Sequence, residues 1–142
     1  MNRTPIYRTQ LVRESFVYTL ESVSGIEQAG RVAIELTKDS PVELFLVIAL
    51  DTQLKVIGSS IITQGTLDAS LIHPREVFRF AILCNASSII IAHNHPSGET
   101  SPSREDVAVY QRLKDAGVIL GIRILDSIIC NHETYHSMEQ HS

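Results

Sequence analysis

Apolar residues recur at intervals of three and four between Ser24 and Asp39, at Ile26, Ala29, Val32, Ala33 and Leu36. That spacing predicts one buried face of a helix. Asp39-Ser40-Pro41 ends the pattern, because the residue before a proline is pushed away from helical dihedrals. Val42 to Leu50 is continuously apolar except for Glu43, which predicts a buried strand. Asp51-Thr52-Gln53-Leu54-Lys55 then turns the chain into a second strand, Val56 to Thr63, and so into a hairpin.

Pro74 suits the first turn of a second helix, with His73 at its cap and Val77, Phe78, Ala81 and Ile82 as its apolar stripe. Ser88 to Ala92 is isoleucine-rich and bounded by polar residues, the signature of a central strand. His95 to Pro102 reads as a loop held by two prolines and Gly98. Ser103 opens a third helix running to about Ala116, with Val107, Tyr110 and Leu113 on one side and Gly117 as its stop. Gly121 to Cys130 is expected as the last strand. The order α-β-β-α-β-α-β predicts an α/β fold, a single domain with a mixed sheet flanked by helices. The domain is expected over residues 23–131. It follows a segment, residues 1–22, of uncertain structure with extended character from Gln10 to Leu20. Residues 132–142, with His132, His136 and His141, read as a polar tail.

Composition narrows the class without naming a chemistry. At 142 residues, 44% hydrophobic and 20% charged, the chain suits one globular domain. A net charge of −4 provides no broad basic field, which argues against direct binding to nucleic acid or an anionic membrane. The apolar runs fall well short of the roughly twenty residues of a membrane span. Met1 to Gln10 lacks the apolar core of a signal peptide. Cys84 and Cys130 form no CxxC pair and read as reduced thiols of a cytoplasmic protein, in which the Asn85-Ala86-Ser87 sequon goes unused.

The chemistry is concentrated in residues 93–106. His93 and His95 share strand parity, so an extended backbone projects both to one side, roughly 7 Å apart along the chain. Asp106 arrives on the first turn of the following helix and can add a carboxylate. Two imidazoles and a carboxylate suit a borderline-soft divalent ion, and three protein ligands leave a fourth position open, as in catalytic sites. Each part also has a plainer reading. Ser103 to Asp106 is a good helix start, with Ser103 as cap and Asp106 favouring the helix dipole, and the two roles are compatible. Glu43 reads either as a charge that discourages edge pairing or as a functional carboxylate. The literal string His93-Asn94-His95 also matches a nuclease name, but those enzymes do not use three adjacent residues.

The full spacing, His-x-His, seven residues, Ser, two residues, Asp, resembles the JAMM motif of the MPN+/JAB metallopeptidase superfamily. Gly65-Thr66-Leu67, His73-Pro74-Arg75-Glu76-Val77-Phe78, His93-Asn94-His95-Pro96-Ser97-Gly98 and Pro102-Ser103 look like its RadC-like branch, over roughly residues 40–130. Fuller members carry a helical region with a helix-hairpin-helix element, so this chain resembles the shortened forms found on mobile elements. It departs from them at Asp126-Ser127, where relatives usually have Asp-His. The resemblance implies an α-β-α fold of JAB/MPN type, related to cytidine deaminases. It also implies one Zn²⁺ per chain held by His93, His95 and Asp106, with Glu43 as acid-base residue and Ser103 as oxyanion donor. Glu76, Glu99 and Glu105 are the rivals to Glu43 and read as solvated. Asn94 or Ser97 are candidates to orient the histidines.

The implied activity is hydrolysis of an amide bond in a peptide or protein substrate. The alternative is a non-catalytic, metal-containing binding module in DNA repair or mobile-element biology, against which the complete ligand set with Glu43 and Ser103 speaks. A zinc nucleobase deaminase requires H-x-E with P-C-x-x-C, and neither is present. Substrate identity and oligomeric state are left open by the sequence.

Overall fold

The two runs that are apolar on both faces become the strands covered on both faces. The computed structural model describes residues 1–65, 68–96 and 98–141. Among these, the elements are α1 (Ile26–Thr37), β1 (Leu44–Leu50), β2 (Val56–Gln64), α2 (Pro74–Leu83), β3 (Ser88–Asn94), α3 (Arg104–Leu120), β4 (Arg123–Cys130) and β5 (Tyr135–Ser137). The strands form one mixed sheet in the order β2-β1-β3-β4-β5. Every residue of β1 and of β3 is buried, as strands with helices on both sides must be. The hairpin pairs β1 and β2 antiparallel, β3 runs antiparallel to β1, and β3 and β4 are parallel with α3 as their crossover.

Two apolar layers sandwich the sheet. On one face α1 packs Ala29, Val32 and Ala33 against Leu46, Ile48, Ile90, Ala92 and Ile128. On the other, α2 and α3 pack Val77, Phe78, Ala81, Val109, Tyr110 and Leu113 against Phe45, Val47, Ile89 and Ile91. Strand parity therefore points Ile89, Ile91 and His93 toward the layer of α2 and α3. No helix among the described residues is long and apolar enough to cross a membrane.

Several elements differ from the sequence expectation. His73 stands at the cap of α2 but makes no side-chain capping bond, and Ile82 lies on the exposed side of that helix. In α3 the buried stripe is Asp106, Val109, Tyr110, Leu113 and Gly117, so Val107 falls off it and faces outward. Gly117 does not stop the helix. It lies inside α3 because Ile122 doubles back over it: a Cβ there would sit 2.4 Å from the Ile122 carbonyl oxygen. Gly121 ends the helix in the left-handed conformation, with φ 72°. Residues 121 and 122 thus precede the strand expected from Gly121.

That strand is not the last, and the expected polar tail carries a fifth. β5 adds to β4, with Tyr135 opposite Cys130 and Ser137 opposite Ile128. The anchor is buried and polar: the Ser137 hydroxyl donates to Asp126, which also accepts from the Glu139 N–H at 3.2 Å. Residues 1–20 contain no helix or strand.

Gly117→Ala tests the close crossing. The added methyl has no room against backbone, so a loss of about 1–3 kcal/mol is expected in urea unfolding, with the fold otherwise retained. Stability equal to the parent chain would show that the crossing can relax.

Candidate metal centre

β3 continues past its apolar stretch into two buried polar residues. His93 is 2% exposed and Asn94 3%. The ladder to β4 then reaches one residue further, since the His95 N–H donates to the Cys130 carbonyl at 2.8 Å. This extension keeps His95 on the parity of His93, and the two rings lie 5.0 Å apart between centroids. His93 also stacks on Phe45 of the neighbouring strand, with centroids 6.0 Å apart and planes 17° apart. The site thus forms where two parallel strands finish and α3 begins, the usual ligand position in such sheets.

Asp106 is aimed by the helix start itself. Ser103 caps α3: its Oγ accepts from the Asp106 N–H at 3.1 Å, while the Ser103 N–H donates to Asp106 Oδ2 at 2.7 Å. This reciprocal box uses one carboxylate oxygen and turns the other toward the strand. Oδ1 lies 3.2 Å from His93 Nε2. Burial opposes ionisation of Asp106, but the adjacent His93 imidazole and the Ser103 donors outweigh it and hold the carboxyl at about 2. Asp106 is a carboxylate across the whole physiological range.

The donor set fits a cation. His93, His95 and Asp106 each offer a ligand atom, all within 4.8 Å of one another. The His95 Nδ1 hydrogen bonds to the Glu99 carbonyl at 2.7 Å, which leaves Nε2 as the free lone pair. Neither nitrogen of buried His93 makes a well-aligned hydrogen bond among the described residues, Nε2 having only the 3.2 Å contact with Asp106 Oδ1. Leaving such a group unsatisfied costs about 1–3 kcal/mol, a cost that a bound ion offsets.

Glu43, Phe45, Ile91, His93, His95, Ser103, Asp106 and Val109 line one cleft of about 230 Å³. Glu43 stands one residue before β1, half-buried, at the strand end nearest the histidines. Its neighbours are gripped by Asn94: the Leu44 N–H donates to Asn94 Oδ1 at 2.7 Å, and Asn94 Nδ2 donates to the Val42 carbonyl at 3.2 Å. Asn94 therefore holds the backbone on both sides of Glu43 and does not orient a histidine. Its position between two candidate ligands hid that role, since nothing local in the sequence says which strand will pair with it. Ser97, the other expected orienting residue, lies outside the described residues, as do Thr66 and Leu67 of the first motif.

The remaining candidates separate by position. Glu99 contributes its carbonyl rather than its side chain, and Glu105, read as solvated, stands on the exposed rim of the same cleft. Ser127 also lines the cleft, at the position where the residue departs from the resemblance. Asn131 ties the histidine loop to the β4–β5 turn, donating to the Gly98 carbonyl at 3.2 Å.

Metal binding provides the direct check. Untagged protein is expected to carry about one divalent ion per chain by elemental analysis, and His95→Ala to lose most of it while remaining folded. A His95→Ala protein with unchanged metal content would remove His95 from the ligand set.

A family profile for the RadC-like JAB domain matches residues 23–142. The chain is also similar to a UPF0758 protein of Thermotoga maritima, 52% identical over 98 residues, covering 69% of this chain and 44% of the relative. A UPF0758 protein of Alkaliphilus oremlandii is 41% identical over 119 residues, covering 84% of this chain and 51% of the relative. The chain spans about half the length of the curated relatives it matches. The match reaches through β5, the part that the sequence alone left as a tail. This chain belongs to the RadC-like JAB domain family.

Proposed function

We propose that the chain is a zinc-dependent hydrolase of amide bonds, acting on a peptide or protein substrate. The observation that carries this reading is the shared cleft, which joins the three ligand candidates to Glu43 and Ser103. Two imidazoles with one carboxylate favour zinc over the hard, all-oxygen cations. Zinc held by His93, His95 and Asp106 would supply the Lewis acidity that polarises a carbonyl and brings water toward ionisation near neutral pH.

The protein's own residues do the rest. Glu43 accepts a proton from the attacking water as the new C–O bond forms, then delivers it to the leaving amine as the C–N bond breaks. Ser103 Oγ accepts from the helix backbone and keeps its own proton free to donate to the developing oxyanion. Phe45, Ile91 and Val109 supply an apolar floor that lowers the local dielectric. Asn94 acts through Glu43, as a positioning residue.

Two variants separate these roles. With zinc-loaded protein and a mixed library of peptides and isopeptides, Glu43→Gln should keep its metal and lose on the order of 10²–10⁴ in rate. Undiminished cleavage by Glu43→Gln would sink the acid-base assignment. Asn94→Ala should lower kcat with metal content unchanged, because only the glutamate is displaced; an unchanged kcat would remove Asn94 as a positioning residue.

A further inference from the structure

The cleft changes character with depth. At its mouth Ser103 and Glu105 are exposed, and Glu43 and His95 are half-buried. Each element then places a buried apolar residue further in: β1 has Phe45 two residues after Glu43, β3 has Ile91 two residues before His93, and α3 has Val109 one turn after Asp106. β4 adds Ser127, which pairs with Ile91. Its neighbour Ile128 packs in the layer of α1, so Ser127 faces the other way, toward α3 and the cleft.

Ser127 is 2% exposed. Its N–H donates to Asp126 Oδ1 at 2.7 Å, and its carbonyl accepts from the Met138 N–H at 3.0 Å. Its hydroxyl meets no hydrogen-bond partner among the described residues. A purely aliphatic group seated against it would leave that buried hydroxyl unsatisfied. A charged group fits no better. The lining holds no lysine or arginine to pair an anion. The carboxylates of Glu43 and Glu105 lie at the mouth, and both oxygens of Asp106 are engaged, so a cation at the base would be unpaired too. What fits is a neutral group with an apolar stem and a hydrogen-bonding tip. The two-residue step from His93 to Ile91 is about 7 Å, a depth suited to a glutamine side chain rather than the shorter asparagine. At about 230 Å³ the cleft is smaller than the roughly 300–1,000 Å³ of pockets for drug-sized ligands, so it takes one side chain beside the reacting bond.

We propose that Ser127 is a specificity-determining residue, and that the cleft selects glutamine as the residue carrying the scissile carbonyl. Phe45, Ile91 and Val109 enclose the stem of that side chain, and the Ser127 hydroxyl bonds its terminal amide. The side chain on the carbonyl's own Cα is the one closest to the reacting bond, so it is the one that enters the base. This subsite rests on the amide-hydrolase reading above and narrows it to a class of substrate.

The test uses the zinc-loaded full chain and N-acetyl amino-acid hydroxamates, in which a metal-binding group replaces the scissile amide. Probes with the side chains of glycine, methionine, glutamate and glutamine are compared by calorimetry. The glutamine probe should bind about tenfold tighter than the methionine probe, and the glutamate probe no tighter than the glycine probe. Ser127→Ala should keep its zinc and lose the preference for glutamine over methionine. Equal binding of those two probes by the parent chain overturns the proposal, whether or not the variant folds. A glutamine preference that survives in Ser127→Ala overturns it as well. A parent chain that binds none of the four probes, the glycine reference included, removes the hydrolase reading and the subsite with it.

Discussion

The pairing of β3 with β1 is the constraint on which the site depends. β3 is buried along its whole length, and its last two residues are polar. His93 pairs with Phe45 and stacks on it, while Asn94 bonds the backbone on either side of Glu43. One strand register therefore sets a candidate ligand and the carboxylate beside it together. A shift by one residue would turn His93 into the layer of α1 and leave its nitrogens among aliphatic side chains. The apolar stripe of β3 locks the register, because Ile89 and Ile91 must face α2 and α3 while Ile90 faces α1.

Asp106 shows the same economy at the start of α3. Its two oxygens are divided between the helix and the histidine, Oδ2 closing the capping box and Oδ1 facing His93. The cap and the candidate ligand are one device: ordering the first turn also fixes the carboxylate rotamer. The plainer reading of Ser103 to Asp106 as a helix start is therefore correct, and the same box aims the Asp106 carboxylate at His93.

The polar groups that hold the periphery come from segments with little apolar pattern. Asp126, Ser137 and the Glu139 N–H form a buried connection that draws the end of the chain into the sheet. Burial pushes the Asp126 carboxyl up, against the Ser137, Glu139 and Ser127 donors that lower it. Such contacts have no periodicity, so β5 was not legible from the sequence, and a three-residue strand gives too short a window for alternation. Gly117 misled for a related reason. A glycine near the end of a helix reads as a stop, but here the close return of Ile122, a contact made after the helix has ended, required it.

The sequence by itself determined the central strands, the three helices to within a few residues, and the spacing in 93–106 that brings His93, His95 and Asp106 together. These are local patterns, set by strand parity and helix period. It placed Glu43 beside the histidines only through family resemblance, because no local rule links a residue before β1 to a histidine at the end of β3; the structure brings them to one cleft. Tertiary structure decided the rest: that Asn94 grips the Glu43 backbone, that the Glu99 carbonyl orients His95, and that Val107 and Ile82 face outward. Each of these depends on which strands and loops become neighbours in space. Pairing joins residues far apart in the chain, and that information is carried by the whole packed core rather than by any one segment.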